Sequence, residues 1–278
     1  MIFRLPAPSL SLALAGTMTQ DANAHEEYGD DLVALLQLIW GEGFMTPGGA
    51  SYIHTTIAGR DLSGKLLLDI GSGLGGHDIV LAKDYGAEVV GIDIEPGLVK
   101  RARHLVEREG LAGRIRIELV TPGPLPFPAE MFDVVYSSGA LTQIANKKGM
   151  FLECFRVLKP GGSLLFYDWM KAPGPYSADM LYFFKMEGLT YAMDTLEAHG
   201  ALLADAGFTD IELEDATEEY RRDARAELEM MKGALRPKMV QLLGPDTAKH
   251  FVEDWRSMTV VLDKGEMRPG RYRARKPV

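Results

Sequence analysis

The stretch LDIGSGLGG, Leu68 to Gly76, decides the fold. Its apolar lead-in, Leu66–Ile70, reads as a buried strand, and His77–Tyr85 reads as the helix that follows. Glycines between a strand and a helix allow a tight turn and leave room for a ligand to approach the main chain. A lone G-x-G-x-x-G is a weak signal, but two acids sharpen it. Asp69 stands just before the glycines. Asp93 ends a second apolar run, EVVGIDI (Glu88–Ile94), about twenty residues on, where a carboxylate can accept both hydroxyls of a ribose.

The alternation continues on both sides. Glu95–Glu109 reads as a helix, Ile115–Val120 as a third strand, and TPGPLPFP as a proline-rich turn. Phe132–Ser137 is a fourth strand and Lys147–Leu158 a helix; Ser163–Asp168 is a fifth strand after the turn Lys159–Gly162. Strands alternating with helices of this length predict an α/β, doubly wound, Rossmann-like sheet, mostly parallel and seven-stranded. Beyond it, Ser177–Gly207 is mostly helical, Thr209–Glu214 is a strand, and Glu218–Gly244 and Asp246–Lys264 read as two long helices. Arg271–Lys276 could close the sheet as its last strand. Residues 25–278 then form a single domain. Its N-terminal helical lid spans 25–60, carrying the helix Leu32–Trp40 and the loop GEGFMTPGG, and helical cap elements span 172–206 and 217–264. That C-terminal insertion falls over the sheet edge where ligands bind in open α/β folds. Residues 1–24 read as a disordered or wrongly assigned extension, with Met18 an alternative start and a signal peptide the competing reading.

Composition narrows the partners. The 278 residues carry a net charge of −9, with 46% hydrophobic and 25% charged residues, as expected of a globular chain without the basic footprint that nucleic acid requires. The one local basic run, Arg268, Arg271, Arg273, Arg275 and Lys276, alternates with Gly, Tyr and Ala and reads as an exposed strand edge. The single cysteine, Cys154, lies in the helical pattern FLECFRVL and fits a cytoplasmic protein. No segment approaches the ~20 apolar residues of a membrane span. His25, His77, His104, His199 and His250 show no metal spacing; His77, with Asp78, is placed at a helix N-terminus. No metal is expected, and the chain reads as a monomer or homodimer.

LDIGSGLGG with GIDI resembles the first two motifs of the class I methyltransferases, and FDVVYSSGALTQI and RVLKPGGSLLFYD resemble that family's fourth and fifth strands, over residues 65–170. The resemblance implies S-adenosyl-L-methionine as cofactor, with Asp69 helping to hold its methionine end and Asp93 its ribose. It places Met45, Thr46, Gly71, Gly73, Gly75, Ile94, Thr121, Ser137 and Ser138 around it. Thr121 departs from the family, which often has an Asp against the adenine amino group. A nicotinamide dehydrogenase shares the same fold logic and is the competing enzyme.

Outside this core the chain resembles the phosphoethanolamine N-methyltransferase family, from Tyr28 through GEGFMTPGG to the tail DWRSM and GRYRARK. The resemblance implies a catalytic role for Tyr28. The family's partner histidine is here Gln143, a nearby aspartate is Gly139, and the three residues that grip phosphate align with Gly188, Thr190 and Met258. A phosphate dianion needs charged or bidentate donors, so phosphoethanolamine is a poor fit. A primary ammonium must lose a proton before methylation, whereas a thioether or tertiary amine already has its lone pair. The expectation is therefore an onium product, with methionine as the specific acceptor, Tyr28, Phe44 and Trp169 lining the site and Met258 nearby. His54 and Arg256 are candidates to hold its carboxylate. N-methylation of a small amine and a non-catalytic cofactor-binding role remain open.

Overall fold

The computed structural model describes residues 28–278, so the reading of residues 1–24, and His25, lie outside it. The apolar runs become strands much as their patterning requires. Leu66–Ile70 (β1), Glu88–Asp93 (β2), Ile115–Leu119 (β3), Phe132–Ser138 (β4) and Leu158–Asp168 (β5) pair in parallel, and Thr209–Asp215 (β6) and Gly270–Arg275 (β7) follow. The sheet order is β3-β2-β1-β4-β5-β7-β6, with β7 antiparallel to both neighbours. The chain reverses direction across the sheet between β1 and β4. The connections that follow them run to opposite faces, which is where such sheets open a crevice.

Helices cover both faces. Ala50–Ile57 (α2), Gly76–Tyr85 (α3) and Pro96–Arg108 (α4) lie on one, Lys147–Val157 (α5) and Leu196–Asp205 (α7) on the other. A third apolar cluster belongs to a cap made of Asp30–Trp40 (α1), Ala178–Glu187 (α6), Thr217–Lys232 (α8), Arg236–Leu243 (α9) and Pro245–Asp263 (α10). No described helix is long and apolar enough to cross a membrane.

The expected lid and the expected insertion meet in this one cap. The Glu227 carboxylate on α8, 5% exposed, accepts Trp40 Nε1–H from α1 at 2.6 Å and Trp255 Nε1–H from α10 at 2.9 Å. Tyr52 OH on α2 donates to Asp223 at 2.6 Å, a second tie between the N-terminal segment and α8.

Three details differ from expectation. The helix anticipated over Glu218–Gly244 breaks at Gly233 and restarts as α9, because Pro237 has no amide hydrogen to continue the earlier ladder. Strand β5 begins at Leu158 rather than Ser163; the Lys159–Gly162 segment is absorbed as an irregularity in the pairing with β4. The arginine-rich tail is no exposed edge. Strand β7 sits inside the sheet, and Arg271 and Arg273 are 0% and 5% exposed. Arg271 lies over the rings of Tyr52 and Tyr167 and pairs with Glu214 and Glu219 at 2.9 and 2.6 Å. Arg273 donates to the carbonyls of Thr55 and Thr56 at the end of α2. Alternation put these arginines on one face, and that face is covered.

Glu227→Leu should leave the buried Trp255 and half-buried Trp40 indole N–H groups without acceptors. Stability is expected to fall by about 2–4 kcal/mol in urea unfolding, with Glu227→Gln losing less because its amide oxygen still accepts.

Candidate active site

A cavity of about 900 Å³ opens at the carboxyl ends of β1, β2 and β4. Backbone geometry makes its floor. Gly71 has φ 80°, and a Cβ there would meet Ala140 Cβ at 2.4 Å, so the β1–α3 turn has no space for a side chain. The N–H groups of Gly71 and Ser72 donate to Ile92 O at 2.9 and 3.0 Å, tying the turn to β2. The N-terminal loop is stitched on top, where Gly76 N–H donates to Gly43 O at 3.0 Å. This contact carries Met45 and Thr46 onto the cavity wall.

Asp93 is held ready on that wall. Its Oδ2 accepts Gly73 N–H and its Oδ1 accepts Glu95 N–H, both at 2.9 Å. Burial raises its pKa, and these amides work in the opposite direction. Each oxygen keeps a lone pair, as a carboxylate that accepts a diol needs. Glycines with no side chain beside an acid fixed in this way fit an adenosyl cofactor.

Of the cofactor residues expected from sequence, Met45, Thr46, Gly71, Gly73, Asp93, Ile94, Thr121 and Ser138 line the cavity together. Gly75, Ser137 and Asp69 do not. Gly75 caps α3 against Ala102, and Ser137 Oγ donates to Ile70 O at 2.8 Å between neighbouring strands. Asp69 is 1% exposed and lies beneath the glycine turn against Asp78. Burial lifts the Asp69 pKa to about 7, and burial with the Asp69 charge lifts Asp78 well above the carboxylate range, so the two share a proton.

His77 stands in the first turn of α3, as the sequence places it, and the fold also uses it as a buried brace. One ring nitrogen is 2.9 Å from Thr46 Oγ1 and the other 2.8 Å from Tyr136 OH. Burial lowers its pKa to about 4, so the ring is neutral and joins the two hydroxyls as donor to one and acceptor from the other. Phe44 packs on this ring, 5.5 Å between centroids, and does not line the cavity. Gly139 has φ 77°, a conformation that strains any larger residue, and a Cβ there would crowd Thr46 Cγ2 at 3.0 Å.

On the opposite side Tyr28 OH donates to Gln143 Oε1 at 3.3 Å, and both residues line the cavity. The segment carrying Gln143 is pinned by a residue that sequence reading passed over. Lys147, 4% exposed, donates to the carbonyls of Leu141, Ile144 and Ala192 at 3.0, 2.9 and 2.5 Å. Asp168 backs it, accepting Thr142 N–H and Trp169 N–H, with its pKa raised to about 7 by burial. No spacing in the sequence marks this pair.

The remaining acceptor candidates lie off the cavity wall. His54 sits on the exposed side of α2, 2.5 Å from Tyr85 OH. Arg256 is exposed and paired with Glu253, whose pKa its hydrogen bonds draw down to about 2. Trp169 is buried in the cap, stacked on Phe183 at 6.3 Å, and Met258 receives the Tyr220 hydroxyl at 3.3 Å. Of Gly188, Thr190 and Met258, only Thr190 lines the cavity.

Residues 68–166 match the methyltransferase domain family. In this segment and in its fold the chain is similar to the class I methyltransferases, and its cavity fits their cofactor, S-adenosyl-L-methionine. It is 27% identical over 251 residues to phosphoethanolamine N-methyltransferase 3 of Arabidopsis thaliana, covering 90% of this chain and 50% of that one. The chain thus spans about half the length of the curated relatives it matches first. Among solved structures it is similar to Haemonchus contortus phosphoethanolamine N-methyltransferase 2 in complex with S-adenosyl-L-methionine, with a TM-score of 0.85 and 23% identity over 91% of this chain and 59% of that one. The cyclopropane synthase MmaA2 from Mycobacterium tuberculosis shares the fold at TM-score 0.75 and 17% identity, over 91% of this chain and 96% of the other. One architecture therefore serves different acceptors, and the reaction must be argued from the site.

Asp93→Ala should weaken S-adenosylhomocysteine binding by about ten- to a hundredfold in calorimetry, the worth of a hydrogen bond to a charged group. The Asp69–Asp78 pair gives a pH signature. A carboxyl whose pKa is raised on folding stabilises below its unfolded value and loses that contribution as pH rises toward the folded one, here about 7 for Asp69. Asp78→Asn should therefore be more stable than the parent at pH ~8, with the difference shrinking below pH ~5, in thermal melts across pH.

Proposed function

We propose that this protein transfers the cofactor's methyl group to an acceptor atom that already has a free lone pair, giving an onium product, with a thioether sulfur first and an already methylated amine second. The observation that carries this is the Tyr28–Gln143 hydrogen bond at the cavity wall, where an amide stands in place of a basic side chain. Among the described residues, the cavity lining holds no imidazole and no amine side chain; its carboxylates are Asp93, Glu95 and Glu153, of which Asp93 is held by two backbone amides and Glu153 is paired with Arg156. An amide does not take up a proton at neutral pH, so Gln143 cannot deprotonate a primary ammonium.

When bound, S-adenosylmethionine supplies an electrophilic methyl on a sulfonium. The protein's part is placement. Thr46, held by neutral His77, and Asp93, held by two amides, give the cavity fixed polar walls on the cofactor side. Tyr28 and Gln143 restrain the acceptor side, and Lys147 holds the Gln143 segment still. Holding two reactants in line supplies most of what a lone-pair nucleophile needs. The Tyr28 ring favours the positive charge that forms.

Methionine remains the specific thioether reading, but neither Arg256 nor His54 is positioned to receive its carboxylate. Phosphoethanolamine is disfavoured because the described lining offers no lysine or arginine to a phosphate. A cytoplasmic location, and action without a membrane or nucleic-acid partner, accord with a net charge of −9 and one cysteine, which is buried. Loss of the family's aspartate and histidine positions would also suit a non-catalytic cofactor binder, which methyl transfer by the purified protein separates from an enzyme.

Labelled cofactor incubated with methionine, methylated glycines and phosphoethanolamine should yield a sulfonium or quaternary ammonium product. Transfer to phosphoethanolamine alone overturns the reading. A general base is worth about a hundred- to ten-thousandfold. Gln143→Ala should accordingly keep kcat within about tenfold of the parent.

A further inference from the structure

We propose that Tyr136 and His77 are positioning residues that turn the Thr46 hydroxyl hydrogen into the cavity, making Thr46 an obligate donor to a carboxylate on the bound ligand. The device lies on the cofactor side of the cavity and is independent of which atom accepts the methyl group.

Its polarity starts at Tyr136 on β4. The phenol is 1% exposed, and a buried hydroxyl must give its hydrogen to an acceptor. Asp69 stands opposite in the β1–β4 register, but Asp69 Oδ1 has no partner. His77 Nδ1 is at hydrogen-bonding distance, 2.8 Å away. A neutral imidazole that accepts at Nδ1 carries its hydrogen on Nε2, and burial keeps this ring neutral near pH ~7 by lowering its pKa to about 4. Nε2–H then donates to Thr46 Oγ1 at 2.9 Å, and Ser138 Oγ donates to the same oxygen at 3.4 Å. A hydroxyl oxygen has two lone pairs, and both are taken. The hydrogen of Thr46 itself is left over, on a side chain that lines the cavity.

Neither ring nor hydroxyl can swing away. Thr46 is β-branched, so its χ1 has few settings. Its methyl is held against Gly139, where an added Cβ would come within 3.0 Å of it. Phe44 packs on the His77 ring, 5.5 Å between centroids. A wall that offers a fixed O–H and no lone pair favours a group that accepts, and a carboxylate accepts most strongly. An ammonium, which can only donate, finds nothing there. Both the methionine end of the cofactor and a methionine-like acceptor carry a carboxylate, so binding must tell the two sources apart.

Two ligand pairs differ in that group. S-adenosylhomocysteine has a carboxylate and methylthioadenosine lacks the whole amino-acid end; methionine has one and methylthiopropylamine does not. All are titrated into the full chain at neutral pH, the second pair with S-adenosylhomocysteine bound. Thr46→Val should weaken the carboxylate-bearing member of one pair by roughly tenfold or more and its counterpart by less than about twofold, and the pair affected identifies the source. Tyr136→Phe is buried beneath the wall, yet it frees the tautomer and should weaken the same ligand by about threefold or more. His77→Gln keeps a donor near the Nε2 position, because an amide nitrogen donates and does not accept. It should retain most of the affinity and cancel the effect of adding Tyr136→Phe. Isotope-labelled histidine should report the Nε2–H form of His77 in nuclear magnetic resonance spectra of the free protein. An Nδ1–H form, equal losses for both members of a pair, or no loss in Thr46→Val or in Tyr136→Phe overturns the proposal, equal losses marking these contacts as packing alone.

Discussion

The approach of the Gly43 carbonyl to the Gly76 amide is the contact on which the site depends. A Cβ on Gly76 would lie 2.4 Å from that oxygen, so two glycine-rich loops meet only because neither has a side chain at the junction. From this one hydrogen bond the N-terminal segment is carried across the sheet's carboxyl edge. Met45 and Thr46 then reach the cavity, and α1 arrives where Trp40 meets Glu227. Removing the contact would detach a wall of the cofactor site and a strut of the cap at once.

Buried acids fall into two kinds, and the distinction organises the electrostatics. Asp93, Asp168 and Glu227 are met by amide or indole N–H groups, so their burial is offset locally and they act as fixed anchors. Asp69 and Asp78 instead face each other, and the pair lowers its cost by retaining a proton. It lies beneath the glycine turn, away from the cavity lining, and reads as structural.

Much was legible from local pattern. Strand runs, the glycine turn and the acid ending β2 depend on residues close in sequence, so periodicity and spacing reveal them. The residues from Met45 to Ser138 that the motifs single out largely meet on one cavity wall. The acceptor side did not. His54, Arg256, Trp169 and Met258 are the right chemical types, but helix phase turned the first two outward and packing drew the other two into the cap. The arginines of β7 misled for a related reason: alternation shows that they share a face, and only the sheet order shows that the face is covered.

The sequence by itself determined the fold class and the cofactor, because each rests on residue identity or on contacts a few positions apart. Only the tertiary structure decided that His77 braces Thr46, that Lys147 pins the Gln143 segment, and that Glu227 joins Trp40 to Trp255. Those arrangements join side chains from separate elements, and no local period records how α1, α8 and α10 are turned toward one another. LDIGSGLGG marks the glycine turn at the cavity floor; the packing of distant elements shapes the rest of the cavity.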